Sequence, residues 1–454
     1  MSMHLTNTLV DRILDLSVST PSKADVHQVR RCLMDYLGVT LAGSQMMKNK
    51  VDNYLGLMNS TGKIHAIGGS IGLAPEAAAF INGLNSHAAE LDDGDRYGMF
   101  HPGAPLFSAL LVLTQLEEVT EKQFCKAVVS GYEASMLIAR TLQPHIKEKG
   151  YHGTGIAGTI GAAIACAVAL KCNGEELKAA LSAGCTSASG LLKVIKGKSQ
   201  MKPLNVAYAA QNGLQAALMA KAGFAGSDNV LDEDLGFLNA LTEKFNPDVI
   251  IRSAEQAHPL IHSIYVKPYA ACRHCHAPIE AALRLTEESV FSSEDIQSVE
   301  VKTYKWAIGG HEHTDIQGMS SAKMSIPYSV AAALKFRSGD VEVFDGDYLA
   351  DDAVHQLTKK VIVTEDPEMT RKAPGERGAE VCVKVKAGEQ RYFVALPKGE
   401  PENPVSDQDL LQKMRSLCRF AGINQTQTEV FADFVLRGQL SSDRMNKVLY
   451  SFSS

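Results

Sequence analysis

The sequence predicts a mainly α protein, a large helical domain with a smaller α+β lid domain. Three observations carry that prediction. Apolar residues recur at three- and four-residue spacing through most of the first 250 residues; strand-like alternation is confined to the stretch after about residue 264; helical periodicity returns in the last fifty residues. The expected division is a helical domain over 1–264, completed by 405–454, and a lid over 265–404. A chain of 454 residues, 45% hydrophobic and 21% charged, is long enough and apolar enough to bury such a core.

Leu9, Val10, Ile13 and Leu14 open the helical part with one apolar face. Ala104 to Leu116, Glu121 to Leu142 and Glu175 to Leu192 repeat that pattern between Gly, Pro and polar breaks. Gly153 to Leu170 is an uncharged run of membrane-spanning length, but its Gly, Ala and Thr content fits a tightly packed buried helix better than a lipid-facing one. In the lid, Ile296 to Tyr304, Val361 to Thr364, Glu380 to Val385 and Tyr392 to Leu396 read as strands, with helices at Ala277 to Leu285 and Ser325 to Leu334. Pro397 to Pro404 is a loop, after which Asp407 to Phe420, Gln425 to Leu436 and Asp443 to Phe452 return to helix.

Forty-five basic against 51 acidic residues leave a net charge of -6, so no global positive field gathers nucleic acid. Nine scattered cysteines do not form a disulfide framework and point to a reducing, cytoplasmic setting. The first twenty residues carry Asp11 and Asp15 among their apolar positions and read as neither a secretory signal nor a transit peptide; no membrane partner is expected.

Several local patterns could carry chemistry. Gly153-Thr154-Gly155-Ile156-Ala157-Gly158 spells G-x-G-x-x-G, but His145 to Tyr151 ahead of it is polar and charged rather than a strand. Helix packing is the better reading, with His152 just before a helix N-terminus that favours an anion. Cys272-Arg273-His274-Cys275-His276 is the densest set of metal-ligand types, and His311 with His313 could add to it. Adjacent residues do not turn easily onto one ion, however, and no metal site is expected. His87 through Arg96, with His101-Pro102-Gly103 after it, gathers four carboxylates and two imidazoles; acidic neighbours favour the charged form of a histidine and suit it to proton transfer. Lys193, Lys196, Lys198 and Lys202 form a basic run, in which Lys202 stands directly before Pro203.

Taken together, these motifs resemble the MmgE/PrpD family, which includes 2-methylcitrate dehydratases, cis-aconitate decarboxylases and an iminodisuccinate epimerase. The carriers are Glu90-Leu91-Asp92-Asp93 ahead of His101-Pro102-Gly103, Tyr151-His152, and Met201-Lys202-Pro203-Leu204 running into Ala209-Ala210-Gln211-Asn212-Gly213. Lys267-Pro268-Tyr269, His276-Ala277-Pro278-Ile279-Glu280-Ala281 and Ala322-Lys323-Met324-Ser325-Ile326-Pro327-Tyr328 continue the series. The resemblance spans nearly the whole chain. It implies a helical domain with an α+β lid, usually as a homodimer, and a cleft between the two parts that works on a small di- or tricarboxylate without cofactor or metal.

In that cleft the resemblance places His101 and His152 as proton handlers, Tyr328 as a hydroxyl donor, and Glu90, Asp92 and Asp93 as bases or as groups that orient a histidine. Lys202 and Lys267 would clamp carboxylates, with Cys272, Arg273, His274 and His276 completing the substrate-binding wall. Each reaction of the family passes through a carbanion or enolate beside a carboxylate, so cations and a proton carrier are both required. The expected activity is that of a lyase, cis-aconitate decarboxylation first, with dehydration of a methylcitrate or epimerisation of a dicarboxylate as alternatives. Three departures bear on that choice. Gly94 and Cys272 stand where the decarboxylases carry Thr and His, and Asn205 stands where K-P-L-H has its His.

Overall fold

The computed structural model describes residues 4–195, 199–232, 234–288 and 291–452, so Lys196 and Lys198 of the basic run lie outside the described residues. The protein is mainly α, with one four-stranded sheet in the second half of the chain. No helix among the described residues is long and apolar enough to cross a membrane.

Local chemistry sets the helix limits. Lys23–Met58 starts at Ser22, whose hydroxyl accepts from the Asp25 amide while the Asp25 carboxylate accepts from the Ser22 amide, and it stops where Asn59 turns left-handed at φ 48°. Gly153–Ala169 is buried along its entire length at the centre of the helical part. Its glycines are contact points: a Cβ on Gly155 would lie 2.1 Å from the Ser189 carbonyl oxygen, and one on Gly213, in the helix Lys202–Lys221, 2.4 Å from the Ala162 Cβ. Ahead of Gly153 come a short helix, His145–Glu148, and a single bridge from Tyr151 to Leu191, with no strand to build a dinucleotide site.

The lid sheet runs in the order Val361–Glu365, Ile296–Thr303, Ala379–Val385, Gly388–Val394; the first pair is parallel and the others antiparallel. Val301 sits opposite Val363 on one side and Val381 on the other. Helices His276–Glu288 and Ile326–Phe336 pack against the sheet. The last strand starts at Gly388, four residues before the predicted Tyr392, because its first half is a polar, exposed edge without the alternation that marks a strand.

Two apolar cores result. The larger joins Leu5 through Val266 with Val405, Leu410, Met414, Phe431, Leu449 and Phe452 of the tail. The smaller holds residues from Ala270 to Val394, together with Val39, Ala42, Ala89, Leu91 and Leu417. Between them lies a cavity of about 100 Å³, far below the volume of pockets that take drug-sized ligands and suited to a small acid.

Candidate active site

Helix ends and the turn before His101 deliver the acid–base groups. His152 is the N-cap of Gly153–Ala169, Lys202 is the first residue of Lys202–Lys221, and His101 precedes the helix Gly103–Leu116; all three line the cavity. From the lid come Cys272, Arg273, His274, His311, Met324 and Arg377. Sequence reasoning thus placed His101, His152, Lys202, Cys272, Arg273 and His274 on what proves to be one wall system.

The two imidazoles are held in opposite tautomers. His101 Nδ1 lies 2.6 Å from the Asp93 carbonyl oxygen, which can only accept, so Nδ1 carries the proton and Nε2 keeps its lone pair. The Asn205 amide nitrogen reaches the Leu191 carbonyl oxygen at 3.2 Å and His152 Nδ1 at 3.0 Å. The first contact fixes the amide as a donor, so His152 Nδ1 accepts and Nε2 bears the hydrogen. Burial pushes His101 down to about 3 despite the Asp92 charge beside it, and His152 well below its ordinary value, so both are neutral at physiological pH. The expectation that acidic neighbours keep His101 charged is overturned by burial. His87, quoted in the acidic segment but given no role, lies between them, its ring 5.1 Å from that of His101 and 5.8 Å from that of His152. Its Nδ1 meets Asp92 at 2.7 Å.

Glu90 organises the cations. Its backbone is left-handed, φ 57°, an arrangement strained for a residue with a side chain. The Lys202 ammonium donates to both Glu90 carboxylate oxygens, at 2.6 and 2.5 Å, and the Lys267 ammonium to the Glu90 carbonyl at 2.8 Å. Burial pushes the Glu90 carboxyl up, but Lys202, His87 and Lys267 outweigh it and hold Glu90 ionised far below the usual range. Burial likewise raises Asp92, and His101, His87 and Lys267 more than reverse that. Two of the three donors on the Lys202 ammonium are engaged by Glu90, which leaves one for a ligand.

Six expected site residues do not line the cavity: Glu90, bound to Lys202 from behind, and five others. The Tyr328 hydroxyl donates to the Val343 carbonyl at 2.7 Å inside the lid core, beside Phe344. His276 is spent between Arg273, which donates to its Nδ1, and the Ala271 carbonyl. Lys267, fully buried, sits behind Glu90 and Asp92 rather than on the wall. Asp92 lies in the same layer behind the wall, held by His87. Asp93 accepts from the Tyr132 hydroxyl at 2.5 Å and the Gly103 amide at 3.0 Å, anchoring the helix start; burial raises it to about 7.

Around the 272–276 segment, Cys272, His274 and His311 place donor atoms within 4.8 Å of one another. His311, set aside with His313 in the sequence reading, does join this group; Cys275 is buried in the lid core and His313 bonds to Ser321. The surroundings are cationic: Lys147 is 3.3 Å from His274 Nε2, and Arg377 lines the same cavity. Arg273 is spoken for by Glu400, at 2.7 Å, which also pairs with Arg96 at 3.2 Å. Lys147 and Arg377 had no sequence signal: Lys147 is one of several charges in the polar stretch ahead of Tyr151-His152, and Arg377 lies in none of the motifs. At Gly94, a Cβ would fall 2.3 Å from the Tyr265 ring, so a Thr at this position would require Tyr265 to move.

A helical body and an α+β lid enclose a cavity lined by two imidazoles and a lysine, the fold that the resemblance to the MmgE/PrpD class implied. The chain belongs to that family: the MmgE/PrpD N-terminal domain matches residues 7–250 and the C-terminal domain residues 269–435. It is 27% identical to the cis-aconitate decarboxylase-like protein oryM of Aspergillus oryzae, over 91% of this chain and 90% of that protein. It is 25% identical to a cis-aconitate decarboxylase of Aspergillus terreus, over 85% of this chain and 82% of that one. With the cis-aconitate decarboxylase of Mus musculus the identity is 24%, over 92% and 88%.

Proposed function

We propose that this protein is a lyase acting on a small polycarboxylate through an enolate or carbanion beside a carboxylate, with decarboxylation of a cis-aconitate-like acid the first reaction to test. The observation that supports it most is the complementary imidazole pair. His101 offers a lone pair and His152 a hydrogen on the same cavity, both uncharged at neutral pH.

In a decarboxylation the C–C bond to the departing carboxylate breaks and its electron pair passes into the conjugated C=C–carboxylate system. Lys202, with one donor free, balances the charge that gathers there. His152 Nε2–H then delivers a proton to carbon, leaving an imidazolate that water reprotonates as product leaves, and His101 Nε2, which carries a lone pair, is placed to remove a proton from substrate. Neutral groups suit this work, since an uncharged imidazole can both give and take a proton without stabilising the ground-state carboxylates as an ion pair.

A second reading has its own support. Tyr265 fills the room at Gly94 and Cys272 stands at the lid position of the decarboxylases' His, so this wall differs from theirs at two positions. The same base and acid could then eliminate water or exchange an α-proton. Incubation of the purified protein with C4–C6 polycarboxylates in heavy water, followed by mass spectrometry, separates the cases: loss of carbon dioxide, loss of water, or deuterium at one carbon with no other change. Inertness towards all of them would refute the proposal.

A further inference from the structure

Nearly every buried cation around the cavity has an anionic partner. Lys202 and Lys267 face Glu90 and Asp92, Arg273 faces Glu400, Arg96 faces Glu400 and Glu402, and Arg140 faces Asp95. Lys323, buried without a carboxylate, donates to the Ala88 carbonyl and lies off the cavity wall. Lys147 and Arg377 are different. Both line the cavity, and among the described residues neither makes an ion pair. Lys147 has the His274 ring as its hydrogen-bond contact, at 3.3 Å. Arg377 is 5% exposed; its Nη2 donates to the Arg96 carbonyl, while its buried Nε–H donates to nothing in the protein. Burial, and then Arg377 beside it, pull Lys147 down to about 8. Two uncompensated cations with an unfilled donor are unfavourable unless something anionic completes them.

We propose that Lys147 and Arg377 form a second carboxylate subsite, so that the substrate carries at least two carboxylates, one held at Lys202 and another at this pair. This rests on the polycarboxylate reading above and deepens it. The guanidinium and ammonium donate to the oxygens of one carboxylate, and the His274 ring at Lys147 bounds the subsite on the lid side. An anion fits better than a metal ion on the neighbouring Cys272, His274 and His311. The cluster contains no carboxylate, and a dication would meet two positive charges at close range. The subsite also divides the labour on the wall: the Lys202 end carries out the chemistry, and the Lys147 end selects substrates by their length and charge.

The test is calorimetric titration of the full-length protein with tricarballylate, butyrate, inorganic phosphate and Zn²⁺. Wild type should bind tricarballylate about tenfold or more tighter than butyrate, and Lys147→Met should erase most of that preference while leaving butyrate binding unchanged. The melting temperature of ligand-free Lys147→Met should equal or exceed that of wild type, because a half-buried charge without an anionic partner is removed; a structural lysine would show a fall. Arg377→Gln should lose the same preference, and it keeps the test open should the first variant fold poorly. Tricarballylate binding that depends on Lys202 but is indifferent to both changes would overturn the subsite and leave the proposed function standing. No polycarboxylate binding at all would sink both. Phosphate binding equal to tricarballylate, or stoichiometric Zn²⁺ binding lost in His311→Gln with tricarballylate preference unmoved by Lys147→Met, would also overturn it.

Discussion

Replacing Lys202 by Met should damage folding and catalysis together, and a second change should pull the two apart. The Lys202 and Glu90 side chains are only 13% and 8% exposed and meet at 2.5 Å, so losing the ammonium leaves a buried carboxylate whose next partners are His87 at 3.9 Å and Lys267 at 4.0 Å. Breaking a buried pair from one side typically removes about 3–5 kcal/mol, and the residual Lys267 contact puts this case near the lower end. Several degrees of melting temperature at pH 7 should be lost. Burial opposes the Glu90 charge, yet Lys202, His87 and Lys267 hold that carboxyl below its ordinary 4.5, so its contribution is complete above pH 4.5 and is lost as the pH falls below that. Burial lowers Lys202, but Glu90 raises it above 10.5 on balance, so its contribution holds until the pH climbs past 10.5. The gap between wild type and Lys202→Met should therefore be widest between those limits and close in acid. Turnover should fall about a hundredfold to a thousandfold, as when one donor to a developing oxyanion is removed. Lys202→Met combined with Glu90→Gln should regain most of the melting temperature and none of the turnover. Differential scanning fluorimetry across pH, beside turnover on the substrate found by screening, provides both readouts. A single variant with unchanged stability and rate, or a double variant with restored rate, would refute the reasoning.

Asn205→Asp places an acceptor against His152 Nδ1, moving its hydrogen off Nε2; kcat should drop by about two to four orders of magnitude with little change in melting temperature, and Asn205→Gln should drop it less. Tyr328→Phe removes a buried hydrogen bond to the Val343 carbonyl, so it should lose about 1–2 kcal/mol of stability while kcat stays within about twofold; a large kcat loss at normal stability would return Tyr328 to the chemistry. Because burial holds His101 neutral with a value of about 3, kcat/KM corrected for substrate ionisation should stay flat from pH 5 to about 7, below the range in which Lys147 loses its proton. A limb near 6.5 that disappears in His101→Gln would contradict that.

Much of the fold was legible because helix periodicity is local: Glu121–Leu142 and Asp407–Phe420 fall on the predicted bounds, each capped by the Thr or Ser before it. The chemistry-bearing residues were legible where a short motif also sits at a helix start, as His152 and Lys202 do. Motifs reveal that a position is constrained without revealing the constraint, which is why Tyr328 and His276, held by backbone carbonyls within the lid, looked like cleft residues. Asn205 was read only as a missing imidazole, whereas its amide sets the tautomer of a histidine 53 residues away. Lys147 and Arg377 were out of reach altogether, since only the packing of the lid on the helical body brings them to one wall.

The carboxylate of Glu400 has a kinetic meaning. One oxygen holds Arg96, from the segment leading into His101, and the other holds Arg273, at the foot of the lid; with Glu402 as the second partner of Arg96, the 397–404 loop stitches the two walls of the cavity. Those walls cannot part along this seam without separating Arg273 from Glu400, or Arg96 from both Glu400 and Glu402. Traffic through that seam is thus rationed by Glu400: a ligand entering there waits for a rare excursion, and once inside it is sheltered from bulk water for the lifetime of the closed form.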